Sequence, residues 1–255
     1  MSTAPAGAEE GPALRPEMPF EPGEELVFAL KWGFVSAGEA TLAVLPMETI
    51  DGVEAYHFVM TARTNSFVDL FYKIRDRFDS YTDLSMNRSL LYRKEQQEGT
   101  TSRDIEVRFD WEGGQAHYTD RGESLPPVEL LPGSFDPLSI FYYVRLLELE
   151  EGAIHERPVN DGKKNLQAQL KVVARETVTV PAGTFETYKL VPDPRNFGGV
   201  FKESKNSKLH LWVTADGRRQ LVKIQSKVAV GSFVAELAGS GYTSIGPDER
   251  LAILP

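Results

Sequence analysis

One stretch limits the choice of fold more than any other: Gly133 to Gly152 (GSFDPLSIFYYVRLLELEEG) carries the only long helical pattern in the sequence. Asp136 is a good N-cap, Pro137 suits the first helical position, and Gly152 supplies a stop. Apolar and amphipathic residues recur at three- and four-residue steps: Leu138, Phe141, Tyr142, Arg145, Leu146 and Leu149. The pattern predicts a helix over 136–151. A single helix of about four turns cannot bury its stripe alone, so we expect it to pack on a sheet.

The sequence on both sides of this stretch is typical of β-strands. Inward candidates alternate with the other residues at the start of the chain: Leu26, Phe28, Leu30 and Trp32. Asp51-Gly52 and Pro181-Ala182-Gly183 have the composition of hairpin turns. A short helix is expected near 66–73. We therefore predict a mainly β protein: a large curved antiparallel sheet or open barrel-like structure, in two halves joined by the helix 136–151.

Composition limits the classes of function. The formal net charge is −9 and the pI about 5.1, which argues against general nucleic-acid binding. No apolar run reaches the roughly 18 residues of a membrane-spanning helix. Cysteine is absent, which removes thiol catalysis, disulfides and thiolate metal sites. The absence of cysteine suits the cytosol and the periplasm equally.

The domain organisation follows from the same patterns. Residues 1–19 are rich in Ala, Pro, Gly and Glu and are interpreted as a flexible linker without a signal sequence. Such a linker is either native or the mature start of an exported protein with an added Met. Residues 20–245 are expected to form a single β-rich domain, and residues 246–255 a C-terminal tail.

No catalytic or metal-binding motif stands out. His57, His117, His155 and His210 are too far apart in sequence for a compact metal site, and no cofactor is expected. The charged run Lys73 to Asp79 is interpreted as a solvated strand face with cross-strand pairs. Asp76 and Asp79 form a carboxylate pair whose separation only a structure can supply.

Aromatic residues are the strongest candidates for binding. Trp32, Phe34, Phe67, Phe71 and Tyr72 lie in or beside the first hairpin and the short helix. Core packing is the favoured interpretation, and the lining of an apolar ligand site between sheet and helix is the alternative. The loop 196–207 contributes Phe197, Phe201 and Lys202 as a lid candidate. A basic excess between Lys163 and Lys208 is interpreted as a sheet face or, less simply, as a patch for phosphate-bearing lipid.

Several short motifs in order resemble a known family. They are Gly23-Glu24-Glu25-Leu26 with Trp32, Ala37-Gly38-Glu39-Ala40, Asp136-Pro137-Leu138-Ser139 with Tyr143-Val144-Arg145, Arg175-Glu176 before Pro181-Ala182-Gly183-Thr184-Phe185, Leu211-Trp212-Val213 before Asp216-Gly217-Arg218-Arg219, Val230-Gly231-Ser232, and Glu236-Leu237. Together they resemble the DUF3108 family of bacterial exported proteins over roughly residues 20–243. The resemblance implies a β-rich domain in the periplasm or at the outer membrane of a Gram-negative bacterium, made with a signal peptide that this chain lacks. It implies no activity for individual residues.

Three hypotheses of function follow. The first is a non-enzymatic envelope protein that binds an apolar or amphipathic molecule such as a lipid in a cavity between sheet and helix. The second is a structural or adaptor protein that recruits an envelope partner through sheet edges or an apolar surface patch. The third is a polysaccharide hydrolase, which needs two carboxylates facing each other across a cleft.

Overall fold

The computed structural model describes residues 17–193, 209–227 and 232–242. Fifteen strands and two short helices follow one another along these residues. The strands are β1 (Glu24–Trp32), β2 (Val35–Ile50), β3 (Val53–Thr64), β4 (Ile74–Asp83), β5 (Ser89–Glu98), β6 (Thr101–Asp110), β7 (Gln115–Asp120), β8 (Glu123–Ser124), β9 (Val128–Glu129), β10 (Ile154–Asn160), β11 (Asn165–Val180), β12 (Gly183–Pro192), β13 (Leu209–Thr214), β14 (Leu221–Lys227) and β15 (Ser232–Tyr242). The helices are α1 (Ser66–Asp69) and α2 (Ser139–Val144).

All described strands belong to one curved antiparallel sheet. Its order is β10-β11-β12-β13-β14-β15-β1-β2-β3-β4-β5-β6-β7-β8, with β9 added to β7. Nearly every neighbour in the sheet is also a neighbour in sequence, as is usual for consecutive antiparallel strands. The predicted turn Asp51-Gly52 is confirmed, with positive φ at both residues as a two-residue hairpin loop requires. The predicted mainly β class is therefore confirmed.

The main core lies on the concave face of the sheet. Strand registers place Leu26, Leu42, Met60 and Phe78 in one row across β1 to β4. Alternate residues of each strand point inward, so the period-two pattern of the sequence becomes a continuous apolar surface. The core also contains Tyr142 of α2, which stacks on Phe58 with ring centroids 3.9 Å apart.

The central helix is much shorter than predicted. We expected a helix over 136–151, but α2 covers only six residues, and the chain leaves it through a turn at Arg145 and Leu146. Leu146, Leu147 and Leu149 are nonetheless buried. Their apolar spacing reflects burial of a non-helical segment, which periodicity cannot distinguish from a helix end. Gly152 also acts differently, since its N–H donates to the carbonyl of Val172 rather than ending the helix.

Asp136 fastens the entrance of α2 to the sheet. Its Oδ1 accepts the backbone N–H groups of Leu138 and Ser139 at 2.8 and 3.0 Å. Its Oδ2 accepts the hydroxyls of Ser80, Ser89 and Ser139 at 2.6, 2.6 and 2.7 Å. A fully buried carboxylate is tolerated only when it is hydrogen-bonded in this way. Asp136 was predicted to be the N-cap, but the N-cap residue of the shortened α2 is Leu138; Asp136 instead caps the turn that leads into α2 and anchors it to β4 and β5.

The two ends of the sheet approach each other without pairing as neighbouring strands. Phe135 forms an isolated parallel bridge with Val159 of β10. The β10–β11 turn packs on β6 and β7, and a Cβ at Gly162 would lie 2.7 Å from Val107 Cγ2 and 2.9 Å from Tyr118 Cδ2. The structure is therefore barrel-like but open. We call the gap between the two ends of the sheet the seam; side chains and the segment before α2 cover it.

Candidate functional site

Seven large apolar side chains are exposed on two adjacent segments, the β1–β2 turn and the connection from β3 to β4. Each is at least 48% exposed, and Phe34 is fully exposed. We call this surface the aromatic rim; it consists of Trp32, Phe34, Val35, Phe67, Leu70, Phe71 and Tyr72. Soluble proteins seldom expose so many apolar side chains close together without a function. The aromatic rim is the strongest candidate site among the described residues.

The local sequence builds the aromatic rim from a hairpin and a helical turn. Trp32 ends β1, and Gly33, with a φ of +60°, turns the chain so that Phe34 stands at the tip. Asn65 caps α1 by accepting the N–H of Val68 at 3.0 Å. The same residue holds α1 against the start of β2, since its Nδ2 donates to the carbonyl of Ser36 at 2.7 Å. The two segments are therefore held side by side.

Contacts within the second segment orient its rings. Phe67 and Phe71 meet edge to face with centroids 5.8 Å apart. Tyr72 lies over Gly99 of the β5–β6 turn, where a Cβ would come within 3.0 Å of its ring. The aromatic rim thus extends from the β1–β2 turn to the edge of the β5–β6 turn.

The preferred packed-core interpretation of the five aromatic residues is wrong. Trp32, Phe34, Phe67, Phe71 and Tyr72 all lie on the surface. They also lie outside the cavity beneath α2. The alternative, that they contact an apolar ligand, stays a prediction.

The cavity beneath α2 is small and apolar. It has a volume of about 20 Å³, room for about one water molecule. Side chains from α2 and from both halves of the sheet line it: Leu26, Leu42, Phe141, Tyr142, Val144, Arg145, Leu190, Leu211, Val213, Arg219 and Leu221. An engineered cavity that binds benzene has about 150 Å³, so this space does not hold a lipid chain.

Charges near the aromatic rim are mostly neutralised in pairs. Three carboxylates each meet a cation: Asp69 with Arg75 at 2.6 Å, Glu39 with Arg63 at 3.0 Å, and Glu236 with Lys31 and Lys223 at 2.7 and 2.9 Å. The hydrogen bond from Arg75 is the main cause that lowers the pKa of Asp69. Lys73 directly follows the rim, is exposed, and has no ion pair with a described carboxylate. The rim therefore carries little negative charge although the whole chain is acidic.

The predicted lid lies outside the described residues. This applies to the loop 196–207 and its residues Phe197, Phe201 and Lys202. Two lysines of the described part of the basic segment are engaged within the protein: Lys189 pairs with Glu176 at 3.5 Å, and the amine of Lys163 lies 4.4 Å from the centre of the Tyr118 ring.

The run Lys73 to Asp79 is less solvated than predicted. Asp76 and Asp79 are both buried and lie on opposite faces of β4. Asp79 lies 2.7 Å from His57 Nε2 and accepts two hydrogen bonds from Arg77. This pair cannot act together on one substrate.

A second carboxylate pair lies on the concave face. The amide of Gln96 donates to Asp76 at 3.1 Å and to Glu98 at 2.9 Å. Burial and the neighbouring Asp76 raise the pKa of Glu98. Because one amide bridges both carboxylates, the pair is held together rather than apart across a cleft. Among the described residues, no three His, Asp or Glu side chains come together as a metal site.

Sequence reasoning missed two members of the aromatic rim, Val35 and Leu70. Both are adjacent to predicted aromatic residues, and an unbroken apolar run on a hairpin tip or a four-residue helix is the signal that could have found them. Phe67, Leu70 and Phe71 have the i, i+3, i+4 spacing of a buried helix face, so their exposure could not be read from the spacing.

These features define a class of protein: an open, barrel-like antiparallel sheet that wraps a short internal helix and exposes the aromatic rim. A solved structure of a beta-barrel-like protein with the DUF1849 domain from Brucella abortus shares this fold, with a TM-score of 0.55 at 8% identity over 86% of this chain and 97% of that one. The model of the DUF3108 family, described as a protein of unknown function, matches residues 27–238. The chain therefore belongs to the DUF3108 family.

Two further solved structures show weaker similarity. A candidate exported protein from Bacteroides fragilis matches with a TM-score of 0.32 at 10% identity, over 88% of this chain and 98% of that one. A candidate lipoprotein from Parabacteroides distasonis matches with a TM-score of 0.30 at 11% identity, over 87% of this chain and 96% of that one. A search of curated proteins gives no match. No helix among the described residues is long and apolar enough to cross a bilayer.

Proposed function

We propose that this protein is a non-enzymatic component of the bacterial envelope that binds a lipid surface through the aromatic rim. The observation that carries the proposal is the exposure of five aromatic and two aliphatic side chains on adjacent segments. Trp and Tyr favour the membrane–water interface, where an apolar ring meets a polar layer. The periplasmic or outer-membrane-associated location is part of the proposal and follows from what the sequence motifs of the DUF3108 family imply.

The proposed contact differs from the ligand cavity expected from the sequence. A cavity of about 20 Å³ leaves no room for an acyl chain beneath α2. The aromatic rim instead offers its side chains outward, with Phe34 fully exposed at a hairpin tip. Such a protruding tip fits insertion between lipid headgroups better than a flat contact with another protein. The paired carboxylates and the exposed Lys73 permit approach to an anionic surface.

Vesicle co-sedimentation tests the proposal. Vesicles of phosphatidylglycerol and phosphatidylethanolamine are mixed with the wild-type chain, the Phe34→Ser/Phe71→Ser variant and a Leu125→Ser control. Leu125 is also an exposed apolar residue, 45% exposed, but lies between β8 and β9. Burial of one large apolar side chain is worth about 1.5–3 kcal/mol, so we expect the double variant to bind at least about tenfold more weakly. The control should bind as the wild type does.

The adaptor function is the alternative, because an exposed apolar patch also serves protein partners. Two results together would support the adaptor function and refute lipid binding. The wild-type chain would not sediment with vesicles, and it would capture one partner from envelope extracts that the Phe34→Ser/Phe71→Ser variant does not capture. Equal sedimentation of all three chains would also refute the proposal, since the aromatic rim would then have no part in binding.

A further inference from the structure

A cluster of hydrogen-bond donors without partners lies where α2 meets the edge strand β10. The guanidinium of Arg157 stacks on Tyr143, with Cζ 4.8 Å from the ring centre, and lies 5.7 Å from the centre of Phe135. Gly133 is on another side of the group, where a Cβ would touch Cζ at 3.5 Å. Rings and backbone thus fix the position of the guanidinium without using its N–H groups.

The polar atoms of this pair have no protein partner. Arg157 Nε and Tyr143 Oη are both buried, and no described residue hydrogen-bonds to either. Arg157 also forms no ion pair with a described carboxylate, unlike the exposed Arg93, which lies 2.9 Å from Glu106. Burial raises the pKa of Tyr143, so its hydroxyl is a donor at neutral pH. A buried donor without an acceptor costs about 1–3 kcal/mol.

His155 adds a third group to the same face of β10. It lies two residues before Arg157, and side chains two apart on a strand point to the same side. Its Nε2 is also buried without a partner. Arg157 and His155 are half-buried as residues, although the three atoms without partners are themselves buried.

We propose that Arg157, Tyr143 and His155 bind a phosphate group. The guanidinium is a planar fork of donors that matches the oxygens of a phosphate. The phenol supplies a further donor, and the missing carboxylate leaves the positive charge available to an anion. The site is separate from the aromatic rim and does not depend on lipid binding there.

Thermal unfolding and calorimetry with inorganic phosphate test the site, with chloride at equal ionic strength as the reference. The wild-type Tm should rise with phosphate, and Arg157→Gln should lose that rise. Tyr143→Phe should bind phosphate about tenfold more weakly, the effect of one hydrogen bond to a charged group. Without phosphate its Tm should equal or exceed that of the wild type, because no protein hydrogen bond is removed. Arg93→Gln is the matched control and should keep the full rise.

A second titration with glycerophosphate identifies the source of the group. Binding of both compounds supports a site for phosphate esters such as lipid headgroups, and binding of phosphate alone supports a free-phosphate site. A Tm that is the same in phosphate and chloride would overturn the proposal, with water then satisfying the donors. An equal rise in Arg157→Gln would overturn it as well.

Discussion

Glu24 and Arg145, 121 residues apart in sequence, form an ion pair in the interior of the protein. Arg145 Nη2 donates to Glu24 Oε2 at 2.9 Å, and both side chains are less than 5% exposed. Arg145 also donates to the carbonyls of Pro19 and Arg218, and its Cζ lies 5.4 Å from the centre of the Phe20 ring. The pair therefore joins the start of β1 to the end of α2. Both partners lie in motifs that pointed to the family, yet their contact was not foreseen.

Removal of either partner should destabilise the fold strongly. Arg145→Met leaves the carboxylate of Glu24 buried without its cation, and such a loss costs about 3–5 kcal/mol. Urea unfolding should show this loss. The Glu24→Gln/Arg145→Met double variant should be more stable than the sum of the two single losses predicts, by about 1 kcal/mol or more. Strict additivity would show that the two side chains do not interact.

Asp136→Asn should destabilise the entrance of α2. The amide keeps the size of the side chain but turns one acceptor oxygen into a donor facing the hydroxyls of Ser80 and Ser89. Loss of hydrogen bonds to a buried charge costs about 1.5–3 kcal/mol each, so we expect at least about 2 kcal/mol in urea unfolding. Asp110→Asn is the control: it also accepts a turn N–H, from Gly113 at 2.8 Å, but is exposed and should cost less than about 1 kcal/mol. Equal losses of unfolding free energy in the two variants would refute the role of Asp136 as an anchor of α2.

Gly162→Ala should open the seam between the two ends of the sheet. Its Cβ would lie 2.7 Å from Val107 and 2.9 Å from Tyr118, at a φ of +84°. Gly122 has the same φ but nothing within 4 Å of a Cβ, so Gly122→Ala measures the backbone strain alone. We expect Gly162→Ala to lose about 1–3 kcal/mol more than Gly122→Ala, the usual cost of overpacking. Similar losses would mean that the turn does not press on β6 and β7.

Stability at acid pH should depend on Asp79. Burial acts to raise its pKa, but hydrogen bonds with His57 and Arg77 outweigh burial and hold the pKa below the ordinary 3.8. As the pH falls through 3.8 towards the folded-state pKa, the unfolded chain binds the proton first, so stability is lost in that window. Asp79→Asn should flatten the acid limb of a plot of urea midpoint against pH, and Arg77→Gln should flatten it in part. An unchanged acid limb in Asp79→Asn would contradict this assignment.

The outcome at β1 shows how far sequence patterns reach. Leu26, Phe28, Leu30 and Trp32 share one parity, and the first three are buried as the alternation predicts. Trp32 has the same parity but is 56% exposed, because it is the last residue of β1 and lies beside the β1–β2 turn. Periodicity assigns a residue to a face of the sheet, but not to the covered or uncovered part of that face.

The sequence by itself determined the local structure of this protein: alternation made strands, Asp51-Gly52 and Pro181-Ala182-Gly183 made turns, and Asp136 capped the turn that leads into α2. These features depend on residues a few positions apart, where backbone geometry and hydrogen bonding act directly. Only the tertiary structure decided the length of α2, the contact of Arg145 with Glu24, and the exposure of the aromatic rim. Each depends on which distant segments cover a side chain, and burial is a property of the assembled sheet rather than of any single stretch of sequence.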